Sequence, residues 1–171
     1  MIPNMRHPAQ SLKPFLEWLP GYNLSVLEIG CFAGHGTAEF LRCKKVSSVT
    51  CVDPWRGGYD SDDTASACNM VEAAMEWVKN VMAARMVKPV HLHIGDVWPV
   101  SYFDVIYIDG DHRREAVMRD IDRALLLCPH IVAGHDYGVG KHPGVQQAVD
   151  ACFEPNTLYH FADTSWAVLC D

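Results

Sequence analysis

Two short clusters in the second half of the chain carry side chains that can take up a proton or hold a cation. Asp109-Gly110-Asp111-His112 follows the apolar run Phe103 to Ile108, and Gly134-His135-Asp136-Tyr137 follows Ile131 to Ala133. An imidazole titrates near neutral pH, so His112 is a candidate general base. Asp109, His135 and Asp136 offer two carboxylates and a ring nitrogen, a set that binds a divalent cation with water and substrate oxygens completing the shell. Such groups suit chemistry at a hydroxyl, a poor nucleophile until a base or a metal ion assists it. The plainer alternatives are local: Asp111 and His112 can start the following helix, and Asp136 can bond the amides of its own turn. The clusters work together only if the two apolar runs lie side by side with their carboxyl ends level.

A glycine-rich stretch earlier in the chain supplies a place for a partner in such chemistry. Val26-Leu27-Glu28-Ile29 reads as a buried strand, and Gly30, Gly34 and Gly36 follow it as G-x-x-x-G-x-G. Thr37 is placed to cap a helix over 38–44. Dinucleotide folds use G-x-G-x-x-G, whose close first pair admits a pyrophosphate. Here three residues separate Gly30 from Gly34, and Glu28 lies inside the strand. The order E-x-G-x-x-x-G-x-G resembles the first motif of class I S-adenosylmethionine-dependent methyltransferases, whose turn passes a ribose and an amino-acid tail instead of a phosphate. A second strand, 48–52, ends in Asp53, and an acid about 20 residues beyond the glycines suits the vicinal hydroxyls of a ribose. Pro54-Trp55 follows, and Trp55 offers a flat apolar wall to an adenine ring.

The elements that must position these residues alternate along the chain. A short helix is expected over 11–19, stopped by Pro20-Gly21, and a loop over 56–65 that borders the ribose position as a candidate lid. The longest helical pattern, 67–86, carries Met70, Ala74, Trp77, Val78, Val81 and Met82 at helical spacing and reads as packing on the sheet. A third strand, 90–94, leads to Gly95-Asp96; His91 and His93 alternate onto one of its faces, with no third metal ligand nearby. Then come a strand over 103–108, a helix over 113–128, a strand over 131–133, a loop over 138–143, a helix over 144–153, and a hairpin of 157–161 with 166–170. This is the pattern of one α/β domain over 1–171, with 1–24 as lead-in and short helix: a Rossmann-like, doubly wound, mostly parallel sheet. The expected order is 3-2-1-4-5-7-6, closed by the antiparallel hairpin.

The composition narrows the partners. With 171 residues, a formal charge of −7 and no basic cluster, the chain argues against nucleic acid or an anionic membrane as partner. No apolar run reaches the roughly 20 residues of a membrane span. The seven cysteines are scattered and never spaced C-x-x-C, which suits small core residues in a reducing compartment, by default the cytoplasm.

Taken together, V-L-E-I-G-C-F-A-G-H-G-T, C-V-D-P-W, F-D-V-I-Y-I-D-G-D-H-R-R-E-A-V-x-R-D and A-G-H-D-Y-x-x-x-x-H-P-G-V-Q-Q-A-V resemble the class I methyltransferases that include macrocin-type sugar O-methyltransferases. The resemblance covers 25–153 and implies S-adenosylmethionine as donor and a hydroxyl of a sugar or other small molecule as acceptor. It implies that Glu28, Gly30, Gly34 and Gly36 hold the methionine end, with Cys31, Phe32, His35 and Thr37 in the same turn. Asp53, Pro54 and Trp55 would meet the ribose, and Gly95, Asp96 and Val97 the adenine. Asp109, His135 and Asp136 fall where metal-dependent members hold Mg²⁺; from the residues themselves, His112 and Asp109 are the candidate catalytic pair. Two alternatives stay open: an NAD-dependent oxidoreductase on a similar fold, and an S-adenosylmethionine-binding module without turnover. A homodimer is compatible with either.

Overall fold

The structure, a computed structural model, describes residues 11–61, 63–84 and 88–170. The lead-in over 1–10 and the expected helical end at 85–86 lie outside the described residues. At the centre is β1 (Leu24–Ile29), flanked in parallel by β2 (Val46–Asp53) and β4 (Val105–Ile108). β3 (Val90–Ile94) lies beyond β2 and β5 (Ile131–Gly134) beyond β4, again parallel. β7 (Trp166–Leu169) runs antiparallel to β5, and β6 (Leu158–His160) closes the edge. The order is the expected 3-2-1-4-5-7-6.

Alternating residues of these strands feed two cores. On one face Val26, Val49, Val105 and Tyr107 meet Phe15 of α1 (Lys13–Trp18), Phe40 and Leu41 of α2 (His35–Arg42), and Trp77 of α3 (Met70–Ala83). On the other, Leu27, Ile29, Ile106 and Val132 meet Val117, Ile121 and Ala124 of α4 (Arg114–Leu126) and Val145 and Val149 of α5 (Pro143–Cys152). Each such side chain contributes about 1.5–3 kcal/mol by leaving water.

Two expectations are corrected. The helix after the glycine turn starts at His35, not residue 38, with Gly34 as its cap residue. Thr37 sits buried inside it, because its hydroxyl donates to the Glu28 carboxyl instead of capping backbone amides. In α3 the buried stripe is Ala73, Trp77 and Asn80, while Val71, Met75, Val78 and Met82 face outward. The helix leans on α2 through Trp77, which rotates the methionines away from the sheet. β3 is exposed over most of its length, His91 and His93 included, because the connection over 95–104 forms no helix to cover it. Among the described residues no helix is long and apolar enough to cross a membrane.

Candidate active site

The strand order reverses between β1 and β4, and a cleft of about 950 Å³ opens there at the carboxyl ends of the parallel strands. Its floor is the glycine turn. Gly30 has φ 83°, and a Cβ on it would run into the carbonyl of Asp109, so only glycine lets β1 end this close to the chain leaving β4. Gly34, at φ 79°, lies against Trp77 instead of facing the cleft.

Asp53 is the organiser of this floor. Its carboxylate accepts the Phe32 amide at 2.8 Å and the Trp55 amide at 2.7 Å. Both partners hold left-handed backbone, Phe32 at φ 38° and Trp55 at φ 41°, a conformation that costs about 1–3 kcal/mol per residue unless its surroundings enforce it. Asp53 therefore ties the end of β2 to the turn after β1. Burial raises its pKa, and the two amide bonds oppose the rise. Glu28 is 2% exposed and joined to Thr37, and burial pushes its carboxyl well above the usual range. Its bond to Thr37 pins the first turn of α2 to β1.

The expected donor-site residues divide. Gly30, Cys31, Phe32, His35, Gly36, Asp53, Pro54, Gly95 and Asp96 line the cleft with Glu28 at its base; Gly34, Thr37 and Val97 do not. Trp55 does not line it either. Its indole Nε1 donates to the Phe32 carbonyl at 2.9 Å, and its ring stands edge-on to Trp77 at 6.3 Å. The aromatic wall is Trp98, on the loop after β3, with the Arg123 guanidinium 5.9 Å from its ring centre. Asp96 pairs with Arg56 at 3.0 Å at the exposed mouth.

Opposite the glycine turn, His112 sits among carboxylates. Its Nε2 lies 3.1 Å from Asp136 and 3.9 Å from Asp109, and its Nδ1 lies 3.3 Å from Asp63 of the 56–65 loop. Neither ring nitrogen meets hydrogen-bond alignment, although both are shut off from solvent. Burial alone would lower the pKa of His112, but the carboxylates of Asp109, Asp136 and Asp63 outweigh it and raise it to about 12. Asp63 is held down at about 2 by His112 and the Ala65 amide, against the effect of burial. Asp136, itself at φ 60°, is likewise held below the carboxylate range, its own burial outweighed by His112 and His135. His135 turns its ring to Asp136 at 3.3 Å and to the Thr164 hydroxyl at 3.4 Å. Among the described residues two groups bring metal-ligating atoms together: Asp109 with His112 and Asp136, and Asp63 with His112 and His142. His135 belongs to neither. His142 had a legible sign, since Pro143 marks a helix start just beyond β5. Asp63 had none.

A seven-stranded sheet in this order, with a glycine turn and acids at the carboxyl ends of its parallel strands, is the Rossmann-like architecture of the class I methyltransferases. The model of a family described as methyltransferase domain matches residues 27–137, more than half of the chain, and the chain belongs to that family. None of the curated proteins matches it by sequence. Among solved structures it is similar to a protein of the NADB-Rossmann superfamily from Streptococcus agalactiae, with 11% identity and TM-score 0.57 over 94% of this chain and 66% of that one. It is also similar to CalS11, a TDP-rhamnose 3'-O-methyltransferase of calicheamicin biosynthesis, with 14% identity and TM-score 0.54 over 95% and 77%. A third is an S-adenosylmethionine-dependent methyltransferase from Thiobacillus denitrificans in complex with S-adenosyl-L-homocysteine, with 14% identity and TM-score 0.52 over 75% and 48%. At these identities the likeness is one of fold, and the chain spans about half to three quarters of the lengths of these structures.

Proposed function

We propose that the protein methylates a hydroxyl oxygen of a small molecule, with sugars the first class to test, and that the acceptor sits at Asp109. The supporting observation is that Asp109 has the most exposed side chain of the His112 cluster, at 36%, and lies beside the Gly30 turn. S-adenosylmethionine, when bound, supplies an electrophilic methyl group on sulfur. The acceptor hydroxyl becomes strongly acidic as its oxygen takes up that methyl, so a carboxylate is basic enough to receive the proton. Asp109 is the atom-level acceptor in this reading. His112, first expected as the base, is enclosed by three carboxylates, Asp63 at 3.3 Å, Asp109 at 3.9 Å and Asp136 at 3.1 Å, and serves to balance their charge.

The expected Mg²⁺ seat does not fit. The ion favours an all-oxygen octahedral shell, whereas the groups nearest Asp136 are two imidazoles, His112 at 3.1 Å and His135 at 3.3 Å, and the His112 Nε2 also lies 3.9 Å from Asp109. No step is assigned to it. Calorimetry with S-adenosylhomocysteine and turnover against a panel of sugars and phenols test the proposal. Asp109→Asn is expected to bind S-adenosylhomocysteine normally and to lose about 10²–10⁴-fold in turnover. Failure to bind S-adenosylhomocysteine, or wild-type turnover in Asp109→Asn, overturns it.

A further inference from the structure

We propose that Asp63, His112 and His142 form a site for a borderline divalent transition-metal ion of the Zn²⁺ type, which fastens the 56–65 loop over the cleft. The three come from separate parts of the chain: the loop after β2, the turn after β4, and the residue before α5. Their ligand atoms already lie within 4.8 Å of one another. Asp63 and His142 are only 5% and 4% exposed, which sets this group apart from the acidic clusters common on surfaces.

The His112 Nδ1 is the second observation. It is buried, lies 3.3 Å from the Asp63 Oδ2, and has no aligned hydrogen-bond partner. That spacing is close to the ligand–ligand edge of a tetrahedron with bonds of about 2.0–2.1 Å. The His142 ring stands 4.0 Å from the His112 ring at 33°, with its ligand atom within 4.8 Å of those of Asp63 and His112. The surroundings fix the ligands as outer groups of metal sites do. Asp136 sits 3.1 Å from the His112 Nε2, without hydrogen-bond alignment but near enough to be the carboxylate partner of that nitrogen while Nδ1 ligates. Asp63 is oriented by the Tyr59 hydroxyl at 3.1 Å and the Ala65 amide at 2.9 Å. Gly144 lets α5 start against the backbone of 112–114, where a Cβ would fall 2.5 Å from the His112 carbonyl. Two imidazoles and one carboxylate favour Zn²⁺, Co²⁺ or Fe²⁺ over Mg²⁺ and Ca²⁺, and three protein ligands leave a position open toward the cleft.

This inference rests on the methyl-transfer reading only in taking the cleft as the active site. Chelator-treated full-length protein is titrated with Zn²⁺ by calorimetry and with Co²⁺ by visible absorption. One ion per chain is expected, with the absorption bands of a low-coordinate Co²⁺ and no competition from Mg²⁺. His142→Ala and Asp63→Ala each weaken Zn²⁺ binding about a hundredfold or more, and Asp136→Asn about 10–100-fold. Asp109→Asn leaves it unchanged. Where His142→Ala does not fold, His142→Gln makes the same test. Absence of Zn²⁺ binding, unchanged affinity in the folded His142 variant, or loss in Asp109→Asn overturns the site. Loss of S-adenosylhomocysteine binding with Zn²⁺ binding intact strikes instead at the methyl-transfer reading and leaves the ion site standing.

Discussion

Asp53→Asn separates a donor site held open by the fold from one assembled by the ligand. The substitution keeps the shape and burial of the side chain but turns one acceptor into a donor. An amide side chain can still accept from Phe32 or from Trp55, and its NH₂ then faces the other amide. One bond to a charged acceptor is lost, about 1.5–3 kcal/mol. The residue left unpaired is one of the two held in left-handed backbone, so the turn has about 1–3 kcal/mol to gain by relaxing. That relaxed turn must be restored when the donor binds. A net penalty of about 2 kcal/mol on binding corresponds to roughly thirtyfold weaker affinity. Calorimetry with S-adenosylhomocysteine reads the change. Thermal unfolding of the same sample reads any effect on the fold. Affinity within twofold of wild type in a variant that unfolds normally would refute the role given to Asp53.

The remaining predictions concern the wall, the turn and a buried acid. Trp98→Ala is expected to weaken S-adenosylhomocysteine by about 1–3 kcal/mol, the value of an aromatic platform under a base; an unchanged isotherm removes Trp98 from the site. Gly30→Ala forces a Cβ against the Asp109 carbonyl and is expected to lower the urea midpoint by the equivalent of about 2 kcal/mol or more, and an unaltered midpoint would count against the close approach of β1 and β4. Asp120 is 8% exposed, and burial pushes it up to about 6 against the pull of Arg119 and Arg123. An acid raised above its unfolded value of about 3.9 weakens the fold progressively as pH rises to its folded value, and by a constant amount beyond. Asp120→Asn is therefore expected to stabilise by about 2 kcal/mol at pH 8 and to change little near pH 4. Equal shifts at both pH values would show that the charge of Asp120 is not the cause.

What the chain announced by itself was local. Val105 to Ile108 is a continuous apolar run and Val26 to Ile29 is apolar but for Glu28, as only a sheet covered on both faces accepts, and the spacing of Gly30, Gly34 and Gly36 marked the turn between strand and helix. Asp53, Asp109 and Asp136 stand at strand ends, so sheet order alone carried them to one cleft. Side-chain direction was not local, and tertiary packing decided it. Trp55 stands two residues after Asp53, yet its ring was claimed by Phe32 and Trp77, leaving the cleft wall to Trp98 on another loop. The methionines of α3 have helical spacing, but contact with α2 chose which face was buried. Asp63 and His142 are far from His112 in the chain and meet it through the path of a loop and the close start of α5 against residues 112–114. Periodicity and turn chemistry write the elements into neighbouring residues; which side chains then share one small volume depends on contacts between distant segments, and no short stretch of sequence contains those.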